Sequence, residues 1–176
     1  MSKGLDVPPT EYFEKVGLTV GVFDYLHPGH VMMFQECHKQ CDYLIVGIND
    51  ATNLDAGKQK PIQLLKERII MIEALEGVDE TFVYSGEKEL HKLLQTLSYH
   101  IRFVGEDHKA NPLTGEDIPD HLDKVMYIPR NHGFSSTVMK YRAYWRVIQD
   151  HDNNTFHSPE GYEWSDMVSG NLFPKN

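Results

Sequence analysis

Two histidines three residues apart, His27 and His30, are the residues of this chain whose types and spacing could do chemistry. Pro28 between them suits the first turn of a helix, because its missing N–H would have no partner there. Residues three apart on a helix share a face, so both imidazoles can reach one ligand. The free N–H groups of a helix start also attract anions. The pair therefore indicates an anion site, and the alternatives are a metal site or two structural histidines.

The residues on either side of this pair predict the elements that position it. Apolar residues alternate over residues 16–22, which is typical of a strand, and they recur at helical spacing from Val31 to Cys37. Residues 21–30 should therefore form the end of a strand, a turn and the start of a helix. Gly29 allows the backbone to approach a bound group closely.

Strands and helices alternate along the rest of the chain. Further strands are predicted at residues 43–48, 81–84, 101–104 and 124–128, and helices at residues 61–75, 87–97 and 135–149. Residues 105–123 are rich in Asp, Asn, Pro and Gly and predict a long loop. This alternation predicts an α/β protein with a Rossmann-like three-layer fold and a mostly parallel five-stranded sheet. Ligands bind beyond the carboxyl ends of such strands, so the loops that begin at Asn49, Gly105 and Pro129 should meet the histidine turn.

Size and charge exclude several classes of protein. With 176 residues, 40% of them hydrophobic, the chain suits one well-cored domain, which we assign to residues 1–149, with residues 150–176 as a C-terminal extension of unknown role. The formal net charge of −9 argues against a nucleic-acid partner but allows a local basic pocket. No apolar stretch is long enough to span a membrane, and residues 1–14 lack an apolar signal core. We therefore expect a cytoplasmic protein with no membrane partner.

The two cysteines, Cys37 and Cys41, lie four residues apart on the first predicted helix. The partners that a zinc or redox motif requires are missing near them. We expect both thiols to be small buried hydrophobic groups. We therefore assign no metal ligands in this chain.

Two segments carry a resemblance to a known family. The sequence G-V-F-D-Y-L-H-P-G-H at residues 21–30 resembles the H-x-G-H signature of the cytidylyltransferase-like nucleotidyltransferases, which include glycerol-3-phosphate cytidylyltransferases and several adenylyltransferases. The sequence R-N-H-G-F-S-S-T at residues 130–137 resembles the R-T-E-G-I-S-T-T motif that closes over the triphosphate in glycerol-3-phosphate cytidylyltransferase. The resemblance runs from about Val16 to Lys140.

The resemblance implies which residues form the site. The implied catalytic residues are His27, His30, Lys60 and Arg130. The implied nucleotide contacts are Val22, Phe23, Gly29, Lys58, Glu106, Asp107, Asn131, Ser135, Ser136 and Thr137. Arg130 suits planar contact with a phosphate, and the hydroxyls at the last helix start suit an anion. The alternatives are solvated lysines, serines that only cap a helix and a solvated acidic turn.

The resemblance also implies the substrates. They are CTP, with Mg²⁺ as a cofactor that accompanies the nucleotide, and a small phosphorylated alcohol, with glycerol 3-phosphate favoured. A homodimer is implied as well. Against CTP, Glu76-Gly77 stands where the glycerol-phosphate enzymes have a second Arg, and residues 73–79 resemble the equivalent helix of heptose-phosphate adenylyltransferases.

Two alternatives to the cytidylyltransferase interpretation therefore stay open. One is an ATP-dependent adenylyltransferase that acts on a sugar phosphate. The other is a non-catalytic nucleotide-binding protein. Asn131 and His132, which replace the Thr and Glu of the family motif, leave base or ribose recognition undefined at those positions.

Overall fold

The computed structural model describes residues 12–53 and 60–152. Its elements are β1 (Val16–Gly21), α1 (Pro28–His38), β2 (Tyr43–Asn49), α2 (Leu65–Glu73), β3 (Glu80–Tyr84), α3 (Gly86–Thr96), β4 (Ile101–Gly105), β5 (Val125–Ile128) and α4 (Ser136–Asp152). The chain divides into two compact units, one that ends at Ser136 and one that begins at Thr137. The predicted boundary between residues 149 and 150 stays a prediction.

The five strands form one sheet in the order β3-β2-β1-β4-β5, and every neighbouring pair is parallel. From the central strand β1 the chain moves outward through β2 to β3 and then returns to β4 on the other side of β1. The carboxyl ends of β1 and β4 therefore flank the point where the strand order reverses, which is where parallel sheets bind ligands. The predicted α/β class with a five-stranded parallel sheet is confirmed.

Helices cover both faces of the sheet. On one face α1 and α2 pack on the strands through Phe34, Cys37, Leu44, Val46, Ile48 and Ile72. On the other face α3 packs on the strands through Val16, Leu18, Ile45, Phe82, Leu90 and Leu94. Successive strand residues point to opposite faces, so Leu44 and Ile45 of β2 belong to different clusters. Burial of each such side chain contributes about 1.5–3 kcal/mol, and the three-layer prediction is confirmed.

The cysteines lie in the first of these clusters. Cys37 is fully buried and Cys41, just beyond α1, is 7% exposed; both are free thiols. Burial raises the pKa of Cys37, and burial together with the nearby Asp79 carboxylate raises the pKa of Cys41 to about 11. The prediction that both thiols are buried hydrophobic groups is confirmed.

The helix predicted at residues 61–75 is shorter in the structure and begins at Leu65. The N–H groups of Ile62 and Gln63 donate to the Asp24 carboxylate, and this fixes them in a turn instead of a helix. The helix itself starts with the N–H of Leu64 donating to the Glu67 side chain at 2.7 Å. The start of α2 is therefore set by a contact with a residue almost 40 positions earlier.

The long loop between β4 and β5 is held on the sheet by a buried arginine. Arg102 of β4, 4% exposed, donates from Nη1 to the Thr114 carbonyl at 2.5 Å and to Nε2 of His121 at 2.7 Å. His121 then carries its proton on Nδ1, 2.7 Å from the Tyr99 hydroxyl. Burial and the adjacent guanidinium lower the pKa of His121, so this imidazole is neutral at pH 7.

The second unit contains α4, whose aromatic side chains Tyr141, Tyr144 and Trp145 are exposed. Arg146 and Asp150 of this helix form an ion pair at 3.2 Å. None of the helices in the described ranges combines the length and the apolar character needed to cross a lipid bilayer.

Candidate active site

The turn between β1 and α1 is tightly wound. His27 is the N-cap of α1 with extended backbone, and Pro28 opens the helix as predicted. Phe23 (φ 51°) and Tyr25 (φ 55°) both occupy the left-handed region, which residues with a side chain rarely adopt. Such a conformation costs about 1–3 kcal/mol per residue and persists only where the surroundings fix it.

Contacts from two distant segments fix this turn. The Asp24 carboxylate, 6% exposed, accepts the N–H groups of Ile62 at 3.0 Å and Gln63 at 2.9 Å. In return the Gln63 side-chain oxygen accepts the N–H of Tyr25 at 2.6 Å. The Ser136 hydroxyl donates to the Asp24 carbonyl at 2.7 Å. These contacts hold the backbone on which His27 and His30 depend.

Arg68 of α2 joins the ends of β1 and β2. Its guanidinium, 1% exposed, donates from Nη1 to the carbonyls of Val22 at 2.7 Å and Asn49 at 2.6 Å. Burial lowers the pKa of Arg68, but a guanidinium remains charged in proteins. Arg68 is thus a positioning residue for the loops that leave the two strands.

The imidazoles of His27 and His30 stack face to face, with ring centroids 3.8 Å apart and planes inclined by 20°. Phe23 meets the His30 ring edge-on at 5.7 Å. Within the described part of the chain, neither Nδ1 has a hydrogen-bond partner although both atoms are buried. A buried polar atom without a partner costs free energy, which hydrogen bonding to a bound water or ligand would recover.

The loops after β4 and β5 meet this turn. Arg130, which follows β5, donates from Nη1 to the Asp107 carboxylate at 2.5 Å and from Nη2 to the Phe134 carbonyl at 3.2 Å. A Cβ atom added at Gly29 would collide with Cε1 of His132 and lie 3.0 Å from Cε1 of His27. The ring of His132 therefore lies against the start of α1, and a side chain at position 29 would have to displace it.

The electrostatics of the site favour neutral imidazoles in the absence of an anion. Burial, then the charge of Arg130 and then that of His132 lower the pKa of His27. Burial, followed by the charges of His27 and Arg130, lowers the pKa of His30 to about 4, against a smaller opposing effect of Asp24. Two unit charges 4 Å apart repel by about 4 kcal/mol at an effective dielectric constant of 20. A bound anion would reverse this balance and favour protonation.

Comparison with known proteins identifies the family. The model of the cytidylyltransferase-like family matches residues 18–142 of this chain. The chain belongs to the cytidylyltransferase-like family. The predicted membership is confirmed, and the match covers the sheet, the histidine turn and the loop that carries Arg130.

Relatives of this family member include two bacterial proteins, each called bifunctional protein HldE. The protein from Bradyrhizobium sp. (strain ORS 278) is 31% identical over 132 residues, which cover 73% of this chain and 27% of that protein. The protein from Desulfatibacillum aliphaticivorans is 32% identical over 140 residues, 78% of this chain and 27% of that protein. This chain therefore spans about a quarter of the length of these relatives.

A solved structure has a similar fold. The lipopolysaccharide core biosynthesis protein from Thermoplasma volcanium GSS1 is 27% identical and superimposes with a TM-score of 0.54. The match covers 69% of this chain and 98% of that protein. The match thus includes almost all of the solved protein, and the two proteins share the architecture of the cytidylyltransferase-like domain.

The structure places most of the predicted site residues of this cytidylyltransferase-like domain at one edge of the sheet. Val22, Phe23, His27, Gly29 and His30 lie in the turn and first helical turn after β1; Glu106 and Asp107 lie in a short 3₁₀ turn after β4; Arg130, Asn131, Ser135 and Ser136 follow β5. Thr137 lies in the first turn of α4, within the second unit. Lys60 is exposed at the start of the second described range, and Lys58 lies outside the described residues.

Three residues at the site have roles that sequence reasoning did not find. Arg68 lies inside the helix predicted at residues 61–75, and nothing in its local sequence indicates that it binds the strand-end carbonyls of Val22 and Asn49. Asp24 belongs to the signature, but its use as an acceptor for residues 62 and 63 has no local sequence signal. His132 was noted only as a departure from the family motif.

The donor set of the site suits an anion better than a metal ion. The described ranges contain no group of three or more His, Cys, Asp or Glu side chains that could hold a metal. Imidazoles, a guanidinium and the N–H groups of a helix start are all groups that commonly bind phosphate in proteins.

Proposed function

We propose that this chain transfers a nucleotidyl group from a nucleoside triphosphate to the phosphate of a small substrate and releases pyrophosphate. The observation that carries this proposal is the stacked pair His27 and His30, with unpaired buried Nδ1 atoms, at the helix start beside the reversal in strand order. Arg130 lies close enough to lower the pKa of both histidines. The site thus presents hydrogen-bond donors and positive charge to a polyphosphate.

The chemistry needs no nucleophile from the protein. An oxygen of the substrate phosphate attacks the α-phosphorus of the nucleotide, a new P–O bond forms, and the bond to the departing pyrophosphate oxygen breaks. The two reactants are both anions, so the protein must hold them together and stabilise the charge that develops. Positioning and electrostatic stabilisation are the main contributions of proteins to phosphoryl transfer.

The roles of individual residues follow from their positions. His27 and His30 bind the phosphates at the start of α1, where the absence of a side chain at Gly29 lets His27 and His132 lie close to the backbone. Arg130 neutralises the departing pyrophosphate, and Lys58 and Lys60 supply charge from the loop after β2. Mg²⁺ would arrive bound to the nucleotide as part of the substrate and neutralise its phosphates.

CTP and glycerol 3-phosphate are the first pair of substrates that we propose. Support comes from Arg130 and from the loop that contains Glu106 and Asp107, both similar to the cytidylyltransferase branch. The ion pair between Arg130 and Asp107 joins these two segments at the site.

ATP and a sugar phosphate are the second pair. Residues 73–79 resemble heptose-phosphate adenylyltransferases, and Gly77 (φ 86°) is the third residue of a turn from Leu75 to Val78 that follows α2. The solved relative from Thermoplasma volcanium is named for lipopolysaccharide core biosynthesis, a process that assembles sugars. These observations favour a sugar-phosphate acceptor.

Pyrophosphate release distinguishes the candidates. The full chain would be assayed with CTP or ATP, each with glycerol 3-phosphate and a panel of sugar phosphates, in the presence of Mg²⁺. Activity only with CTP and glycerol 3-phosphate would support the first pair, and activity only with ATP and a sugar phosphate the second. Nucleotide binding without pyrophosphate release from any pair would overturn the catalytic proposal.

We also propose that the chain acts as a homodimer in the cytoplasm, as the family resemblance implies. Light scattering coupled to size-exclusion chromatography would measure the mass in solution. A monomer at the concentration of the activity assay would contradict the dimer.

A further inference from the structure

A third imidazole distinguishes this site. His132 stands where the motif of glycerol-3-phosphate cytidylyltransferase has Glu, and its Cε1 and Nε2 atoms lie next to the position that a side chain at Gly29 would occupy. The same position is 3.0 Å from Cε1 of His27, which in turn stacks on His30. His27, His30 and His132 therefore form one cluster, the three-imidazole cluster, at the start of α1.

The nitrogens of this cluster lack protein partners. Among the described residues, five buried side-chain nitrogen or oxygen atoms have no hydrogen-bond partner, and three of them are the Nδ1 atoms of His27, His30 and His132. His27 is 6% exposed, so its imidazole is more than nine-tenths buried. Orphaned polar atoms concentrated in one place indicate that a polar ligand completes their hydrogen bonding.

The charged groups near the cluster come from three segments. Arg130, between β5 and α4, acts on both His27 and His30, and the positive end of α1 adds to its effect. The Asp107 carboxylate, after β4, is paired with Arg130, and Asp24, in the turn after β1, raises the pKa of His30 while it accepts the N–H groups of Ile62 and Gln63. Burial, the neighbouring imidazole and Arg130 outweigh Asp24 and lower the pKa of His30, so protonation there requires additional negative charge.

We propose that the three-imidazole cluster takes up at least one proton when it binds the polyphosphate chain of a nucleotide, and that His132 supplies part of this uptake. The inference rests on the proposed function and extends it to the protonation state of the bound complex. An imidazolium donates from both ring nitrogens, whereas a neutral imidazole donates from only one. A polyphosphate in contact with the rings stabilises the charged form.

Proton uptake on binding makes the affinity for a polyphosphate depend on pH. Because proton uptake accompanies binding, the affinity for a polyphosphate falls as the pH rises, by up to about tenfold per pH unit for each proton taken up. A Glu at position 132 would instead repel the anion. His132 therefore makes nucleotide affinity depend on pH.

Calorimetry tests the proposal directly. ATP, CTP and inorganic tripolyphosphate would each be titrated into the full chain at pH 6.0 and pH 8.0, and at pH 6.5 in two buffers with different ionisation enthalpies, which gives the net number of protons exchanged. The terminal phosphate of a free ligand titrates at about pH 6, so the protons that each ligand carries at pH 6.5 are measured separately and added to give the uptake by the protein. The variants are His132→Gln and, as a matched control, His38→Gln, which changes an exposed histidine at the far end of α1.

In the wild type and the His38→Gln control we expect proton uptake and an affinity at least about tenfold higher at pH 6.0 than at pH 8.0. In His132→Gln both the uptake and the pH dependence should be clearly smaller. Equal proton counts in the wild type and His132→Gln would overturn the role of His132, and no uptake in the wild type would overturn the whole inference whatever the variant does. Binding without uptake leaves the proposed function standing, whereas failure to bind any nucleotide contradicts both.

Discussion

Because Gly29 has no side chain, the imidazoles of His27 and His132 can lie close to the start of α1. His27 and His132 both reach the space that a Cβ atom would fill. Sequence spacing predicted the approach of His27 and His30, because three residues of helix determine it. The approach of His132 was not predictable, because it depends on how a loop more than 100 residues later packs on this turn.

Gly29→Ala should therefore impair activity more than stability. The added methyl group displaces His132 and His27, and a misplacement of about 1 Å can cost about 100-fold in rate. The free energy of unfolding should change by no more than about 1 kcal/mol, because alanine favours the helix that the collision disturbs. Pyrophosphate release and urea denaturation measure the two effects. Gly133→Ala is the control, since nothing lies within 4 Å of its added Cβ; equal losses in both variants would contradict the steric explanation.

His30→Ala tests the proposed phosphate contact at the same scale. Removal of one donor to a developing negative charge lowers the turnover number by about 100-fold or more. Circular dichroism should show a folded protein, because the His30 side chain makes no hydrogen bond from its buried Nδ1 to the described residues and its aromatic contacts are with Phe23 and His27. His38→Ala should retain the turnover of the wild type. Turnover in His30→Ala equal to that of the wild type would rule out the assigned role.

At the scale of elements, Arg68 of α2 joins the ends of β1 and β2 and so positions the loops that follow these strands. The alternation of strands and helices was readable from periodicity, so the elements matched their predicted positions closely. The start of α2 was wrong by several residues, because the Asp24 carboxylate binds the N–H groups of residues 62 and 63. Periodicity carries no information about such a long-range acceptor.

Arg68→Met should destabilise the protein by about 2–4 kcal/mol. The substitution removes the donor to the carbonyls of Val22 and Asn49 and leaves both without that partner. Lys66→Met, on the same helix and exposed, should change the free energy of unfolding by at most about 0.5 kcal/mol. Urea denaturation followed by fluorescence measures both. Equal midpoints for Arg68→Met and the wild type would show that the strand ends do not depend on this guanidinium.

At the scale of the whole molecule, several buried histidines make stability depend on pH. The pKa values of His27, His30 and His121 are all lowered in the folded protein, whereas an unfolded histidine titrates near 6.5. The sequence predicted the parallel sheet and the edge at which loops converge. It could not predict which imidazoles lose contact with water, because burial depends on packing among all the elements.

The free energy of unfolding should therefore fall by about 2 kcal/mol or more between pH 7 and pH 5. Between pH 7 and pH 5 histidines of the unfolded chain become protonated, whereas His30 of the folded chain, with a pKa of about 4, stays neutral. Above pH 7 these histidines are neutral in both states, so the effect on stability disappears. Urea denaturation at pH 5, 6 and 7 measures this dependence. His30→Gln should flatten it and His38→Gln should not. A slope unchanged by His30→Gln would contradict the lowered pKa.

The two native thiols, enclosed between α1 and the sheet, also determine how the molecule can be labelled. With their pKa values raised by burial, neither forms the thiolate that maleimides and iodoacetamides attack at neutral pH. A cysteine introduced at an exposed position, such as Lys109→Cys in the loop after β4, would react alone. A fluorophore or spin label on that loop could report whether added nucleotide changes its surroundings, in a chain that keeps Cys37 and Cys41.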